Sequence, residues 1–319
     1  MAITSSVNDA GSMNYSRQDV ALALSLGKLK SSLMLAGVIT NYSELARQQG
    51  SRMAGKVRIT EVGKHTVKNK VAQTKATPSQ VALTKEDIDI DQHKYVDFVV
   101  ESAAALVVGN EKMTLSRTTE NAILDLAEAI EAHVFSKYTN AGTTLTVSAA
   151  GKDLLRAVRK TVVQKKFNFA LPTYGFWGAE AESGFLNVDA FTKVNEAGTN
   201  EALRNAAIGR IFGINNFTHN ATPTIVGSPS REVELVLQAD GMGIAFVPMD
   251  SADLPAEFQE NGALASALTL EDDFGNAVYS MRLVSQYSQD WMGARVQIDT
   301  MFGADVVRDD LVIAVLLAI

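Results

Sequence analysis

The sequence predicts an α+β protein, on three observations. A long helix-periodic stretch near residues 119–137 lies between segments whose apolar residues alternate with period two. Several of those extended segments carry too few large apolar residues to bury their own surface. Charge is also unevenly divided. Residues 52–75 hold seven Lys or Arg (Arg52, Lys56, Arg58, Lys64, Lys68, Lys70, Lys75) against one acid, Glu61, whereas residues 232–273 hold ten acids and no Lys or Arg. Such a split is expected when the basic stretch of one subunit lies over the acidic region of another, because only opposed charges attract.

The elements follow in order. Residues 1–16, rich in Ser, Asn and Gly, read as a flexible arm. Residues 17–36 read as a buried or interface helix, their leucines too dense for one stripe and Gly27 weakening the pattern. In residues 53–75 the period changes: Lys56, Arg58 and Thr60 alternate with Val57, Ile59 and Glu61, and a hairpin bending near Gly63 is expected. Pro78 and Ser79 break that pattern before a further extended segment in which Val96, Phe98 and Val100 share a face. The turn at Gly109-Asn110 leads to the long helix, with Thr118 or Thr119 as its cap. Ile123, Leu126, Ala127, Ile130 and Val134 form its apolar face, and Asp125, Glu128 and Glu131 lie on others. A second helix is expected over residues 151–167, with Leu154, Leu155, Val158 and Val162 inward. Short elements follow, including a helix near residues 200–211. Strands are expected at 233–237 and 243–247, joined across Asp240-Gly241, and at 278–284, 295–298 and 311–319.

At 319 residues the chain is long enough for one large domain or two lobes, and its 46% hydrophobic and 20% charged content is ordinary for a globular protein. A formal charge of -7 argues against coating nucleic acid with the whole surface but leaves room for a local basic face. With no Cys, disulfides, thiolate zinc sites and cysteine nucleophiles are excluded together. Residues 1–15 carry no cationic stretch followed by an apolar one, so no targeting segment is expected. Neither the interrupted run at residues 20–39 nor the nine apolar residues 311–319 reaches the ~20 needed to span a membrane.

Motifs for chemistry are weak. Gly50 to Lys56 has the spacing of a phosphate-binding loop, but Val57 stands where a Ser or Thr must hold magnesium, and the following residues read as a strand. His65, His93, His133 and His219 are scattered and share no metal-ligand spacing; His133 reads as a partly exposed helix residue. Glu271, Asp272 and Asp273 precede Phe274-Gly275 and read as a solvated turn, without the spacing of a calcium loop. No serine stands in a nucleophile elbow. No enzyme, metal or cofactor is expected. The basic stretch 52–75 contains no aromatic residue for base stacking, which favours an intersubunit clamp over a nucleic-acid groove. The candidate contacts are the seven cations named above together with Glu232, Glu234, Glu257, Glu260, Glu271, Asp272 and Asp273.

Four stretches then resemble the major capsid proteins of tailed bacteriophages, with the Hong Kong 97-type fold. Leu83 to Phe98 resembles the extended segment before that family's long helix, and Ile123 to Glu131 resembles its spine helix. Phe185 to Val188 with Ala202 to Ile214 resembles a passage of the axial domain, and Met301 to Val312 resembles the closing segment. The resemblance implies an N-terminal arm (1–45), an extended loop reaching over a neighbour (46–82), a peripheral domain (83–145 and 265–319) and an axial domain (146–264). It also implies self-assembly as hexamers and pentamers, portal and scaffolding partners, nonspecific contact with packaged double-stranded DNA, and a place in the virion after assembly in the host cytoplasm. No crosslinking pair is assigned among Lys64, Lys68, Lys70 and Asn69. The alternatives are a tail-tube or decoration protein, which the long helix disfavours, and a soluble enzyme or nucleotide-binding domain.

Overall fold

The structure is a computed structural model that describes residues 25–49, 55–62, 67–70, 72, 73, 75, 78, 80, 81, 83–101, 111–188, 209–247, 264–272, 276–288, 290 and 293–319. The arm over 1–16, the start of the early helix and most of the helix expected over 200–211 lie outside them; the last two residues of that helix, Arg210–Ile211, are instead a short strand. The rest of the early helix is present as α1 (residues 25–32) and α2 (Leu35–Val38), which bury Leu26, Leu29, Leu33 and Leu35. A short strand β1 (Thr40–Asn41) and helix α3 (Ser43–Gln49) lead to β2 (Lys56–Val62), β3 (Leu83–Asp89) and β4 (Gln92–Glu101).

The hairpin forms with a different partner from the one expected. β2 pairs antiparallel with β3, Lys56 opposite Asp89 and Val62 opposite Leu83, whereas residues 67–70 are not a strand. Charge explains the choice. A hairpin folded about Gly63 would set Arg58 opposite Lys68 and Lys56 opposite Lys70, while β3 sets Asp87 and Asp89 against the same two cations.

The spine helix α4 (Glu111–Ser136) starts about two turns before the expected Thr118 or Thr119 cap, since no Gly or Pro interrupts residues 111–118. Its expected apolar face, Ile123, Leu126, Ala127, Ile130 and Val134, is buried throughout. Glu131, expected on another face, is buried as well. After a 3-10 turn (Lys137–Asn140) come β5 (Thr143–Val147), α5 (Lys152–Gln164), β6 (Thr173–Trp177), α6 (Ala179–Leu186) and β7 to β9 (Arg210–Ile211, Ile214–Thr218, Thr224–Ile225). The chain closes with β10 (Arg231–Gln238), β11 (Met242–Phe246), β12 (Leu264–Glu271), β13 (Ala277–Ser288), β14 (Gly293–Val306) and β15 (Val312–Ala318).

Two sheets and the β2–β3 ribbon result. The first runs β1-β11-β14-β13-β12, with β4 antiparallel to β14 along residues 293–302. The second runs β5-β15-β10-β6-β8-β7, with β9 on the start of β10. β10 and β11 are therefore not a hairpin: the 3-10 turn Ala239–Gly241 carries the chain from the second sheet to the first. The turn Asp309–Leu311 carries it back, and the two crossings are tied where the N–H groups of Val307 and Arg308 donate to the Gly241 carbonyl, 3.0 Å each.

The second sheet separates two cores. On β15, Val312 and Ala314 face a core shared with α4 and the first sheet, while Ile313, Val315 and Leu317 face one built on α5 and α6. That double burial accounts for the unbroken apolar run at the end of the chain. A third, smaller core under the ribbon joins Val57, Ile59 and Ile88 to Ala46, Ala245, Val247 and Val307. Among the described residues no helix is long and apolar enough to cross a membrane.

Candidate intersubunit surface

The ribbon has two unlike faces because strand residues alternate. Val57, Ile59 and Ile88 point into the third core and fix its base. At the same base β3 crosses β14 so closely that a Cβ on Gly303 would overlap the Asp89 carbonyl, which only glycine allows. Along the edge, the Gln49 side-chain amide imitates a strand: its Nε2 donates to the Arg58 carbonyl and its Oε1 accepts from the Arg58 N–H, each 2.9 Å. Glu61 lies 3.5 Å from Arg308 and is pushed up from the ordinary carboxylate range by burial, against the pull of that guanidinium.

The outer face carries the predicted cations. Lys56 sits 2.9 Å from Asp89, and Arg58 holds Asp87 through two hydrogen bonds of 2.8 and 3.0 Å, which lower the Asp87 carboxyl. Both cations are thus matched by acids of their own ribbon. Exposed pairs of this kind contribute ~0–1 kcal/mol each, so they set register more than stability. Lys68, Lys70 and Lys75 are exposed beyond the paired strands, and Arg52 and Lys64 lie outside the described residues. The far end of the ribbon is apolar and open to solvent: Val62 and Leu83, opposite each other, are both 63% exposed, and Val67 and Val81 are exposed beside them in sequence.

The acids divide differently. Glu232 and Glu234 are buried, which removes them from any surface. Both serve the start of α6, a helix without a side-chain cap of its own. The Gly178 N–H donates to Glu234 at 2.6 Å, and those of Ala179 and Glu180 donate to Glu232 at 3.2 and 3.0 Å. These are amide donors that a helix start leaves unpaired. The neighbouring carboxylate fills the space a Gly178 side chain would need. Burial, reinforced by the Glu232 charge, pushes Glu234 up to about 9. Glu271 is exposed and 3.2 Å from Arg47, and Asp272 accepts from the N–H and side-chain amide of Asn276; residues 273–275 of the expected solvated turn lie outside the described residues. Glu257, Glu260 and Asp273 lie outside the described residues.

One buried polar centre was not expected from the sequence. The Glu131 carboxylate, on α4, accepts from the N–H groups of Met34 (2.7 Å), Leu35 and Ala36 (3.1 Å each), at the start of α2. His219 Nε2 stands 3.0 Å from the same carboxylate, and the Ala221 N–H donates to His219 Nδ1 at 3.0 Å. With Nδ1 accepting, the ring proton sits on Nε2 and faces Glu131. One side chain therefore joins the N-terminal segment, the spine and the turn before β9. The available signal was the spacing of Ala127, Glu131 and Val134, which places Glu131 at the margin of the apolar stripe.

Of the other histidines, His65 lies outside the described residues, and His93 and His133 make contacts within the fold. His93 Nε2 lies 2.8 Å from buried Asp299, which also holds Arg282 by two hydrogen bonds. His133, half-buried against the edge of Phe302 at 5.5 Å, is lowered by burial and by Lys137. Among the described residues no three His, Cys, Asp or Glu converge on a metal position. Lys56 and Val57 lie within strand β2, which continues to Val62 where a phosphate loop would open a helix.

No protein-family model and no curated protein sequence matches the chain. Solved structures do. Mycobacterium phage Che8 aligns with a TM-score of 0.60 at 19% identity, over 89% of this chain and 90% of that one. The mature capsid of bacteriophage PhiM1 aligns with a TM-score of 0.58 at 11% identity, over 89% and 87%. The capsid of Cyanophage P-SCSP1u aligns with a TM-score of 0.57 at 14% identity, over 83% and 84%. Across most of its length the chain has the mixed α+β fold of bacteriophage capsid structures.

Proposed function

We propose that this chain is a major capsid protein that assembles with copies of itself into the icosahedral shell enclosing phage double-stranded DNA. The observation that carries the reading is the fold itself, matched over more than four fifths of the chain to phage capsids despite identities below 20%. The exposed apolar end of the β2–β3 ribbon supports it, because the base of the ribbon is packed in the third core whereas Val62 and Leu83 at its end have apolar surface that another subunit can cover. In this reading the ribbon and the following loop reach over a neighbouring subunit in hexamers and pentamers. Lys64, Lys68, Lys70 and Lys75 add charge contacts to acids such as Glu257, Glu260, Glu271, Asp272 and Asp273 there. Residues 83–145 and 265–319 form the peripheral domain, 146–264 the axial domain, and 1–45 the arm. Portal and scaffolding proteins and the packaged DNA are the further partners, the shell is put together in the host cytoplasm, and the work is containment rather than catalysis.

Electron micrographs of the purified full-length chain test this. Closed shells are expected. Tubes would support the tail-tube alternative, and particles no larger than a few subunits at high concentration would contradict self-assembly by this chain.

A further inference from the structure

We infer that the exposed face of α5, with the turns at residues 165–171 and 210–213, binds the phosphate backbone of nucleic acid. Residues 152–171 hold six Lys or Arg against a single acid, Asp153, in a chain whose net charge is -7. Lys152, Arg156 and Lys160 recur every fourth residue along the solvent side of the helix, so the charges rise in a row at ~6 Å steps. Exposed Lys165 and Lys166 follow directly after the helix end, and exposed Arg210 stands on strand β7. Asp153 lies 3.6 Å from Arg156 and leaves the other cations to face solvent.

The face also has the aromatic groups that the basic ribbon lacks. Phe169 and Phe212 are 53% and 40% exposed, in two turns that Arg159 links: its guanidinium lies 4.4 Å over the Phe169 ring and against Gly213. Two residues here take left-handed backbone conformations with side chains present, Lys166 at φ 57° and Phe212 at φ 51°. At Lys166 the Val163 carbonyl accepts from its N–H, and the Val162 carbonyl accepts from the Phe167 N–H, the closure at which glycine is usual. A strained lysine and a strained phenylalanine, both turned to solvent on one basic face, fit a ligand that takes cations and ring faces together. Nucleic acid offers both, phosphates in a row and base faces where the strand is single. An acidic surface of a second copy would use the cations but would leave the rings and the strained turns without a role. A chain that formed no shells yet bound DNA through this face would leave the inference standing.

Fluorescence anisotropy of the unassembled full chain with labelled 20-nucleotide duplex and single-stranded DNA, from 50 to 200 mM salt, tests it. Both probes are expected to bind with steep salt dependence. Lys152→Ala/Lys160→Ala/Lys165→Ala/Lys166→Gly is expected to weaken duplex binding more than tenfold and to flatten the salt slope by about 3.6, near 0.9 for each of four lost phosphate contacts. Phe212→Ala is expected to weaken single-stranded binding about fivefold or more and to leave duplex binding unchanged. Lys166→Gly alone, which relieves the left-handed strain, is expected to raise Tm while lowering DNA affinity, so a loss of binding in it cannot come from unfolding. Unchanged affinity and slope in the quadruple variant would overturn the inference. So would unchanged DNA binding with loss of self-association, which would assign the face to a second copy of this chain.

Discussion

Glu232 and Glu234 stand side by side on one face of β10, and together they replace the N-cap that α6 lacks. With the Glu234 carboxyl raised to about 9 by burial and by its neighbour, the folded protein holds a proton there that the unfolded chain releases above the ordinary carboxylate value of 4.5. The folded state then binds more protons than the unfolded one between those two values. Stability from this group is largest at low pH and declines as pH rises from about 5 toward 9, by ~1.4 kcal/mol per unit at most. Glu234→Gln keeps the acceptor for the Gly178 N–H and a donor toward Glu232, so it copies the protonated form. Urea unfolding at pH 5 and pH 8 is expected to show the variant equal to wild type at the lower pH and more stable at the higher one. An equal pH slope in both proteins would show that Glu234 is ionised in the fold. Sequence reading took these two acids for surface charges. Nothing local distinguishes a glutamate facing solvent on a strand from one facing a helix start, and the α6 start is supplied by residues more than fifty positions away.

Helix α2 has no side-chain cap of its own either, and Glu131 on the spine supplies one from a distance. Removing that carboxylate leaves three amide groups and the His219 ring without their partner. Glu131→Ala is expected to cost about 3 kcal/mol of unfolding free energy, and Glu131→Gln less because one acceptor remains. Hydrogen exchange is expected to speed up at residues 34–36 in the alanine variant more than along α4, since the spine is held by its apolar face. At the foot of the ribbon, Gly303→Ala forces β3 away from β14, and a loss of about 2 kcal/mol or more is expected from overpacking, read by thermal unfolding. Elements whose burial is written in their own period were legible in advance, among them the apolar face of α4, that of α5, and strands β13 to β15. Strand β5 was not: Thr-Thr-Leu-Thr-Val is short, half polar, and pairs in parallel with β15 far along the chain. The ribbon was legible as strands but not in its pairing, because the acids that select the partner of β2 lie beyond an intervening loop.

At the level of the molecule, two sheets share the spine helix and the apolar core around it, while the ribbon stands off with ion pairs on its outer face and an apolar far end. The charge division noted in the sequence is therefore settled at two levels. Part is neutralised inside the subunit, by Asp87 and Asp89 on the ribbon and by burial of Glu232 and Glu234. In the proposed shell, the exposed Lys68, Lys70 and Lys75 and the apolar end of the ribbon face a neighbouring subunit. Val62→Asp/Leu83→Asp is expected to leave the circular dichroism and Tm of the subunit within a few degrees of wild type, because both side chains are exposed, and to abolish large particles in sedimentation velocity. Persistence of full-size particles would place the contact elsewhere.

A three-dimensional reconstruction of wild-type particles is the most direct measurement of the central claim, that this chain builds a shell by laying its β2–β3 ribbon over its neighbour. The account predicts closed icosahedral particles in which Val62 and Leu83 lie within van der Waals contact of an adjacent subunit. Particles in which the ribbon projects into solvent, or an assembly that is not a closed shell, would contradict it.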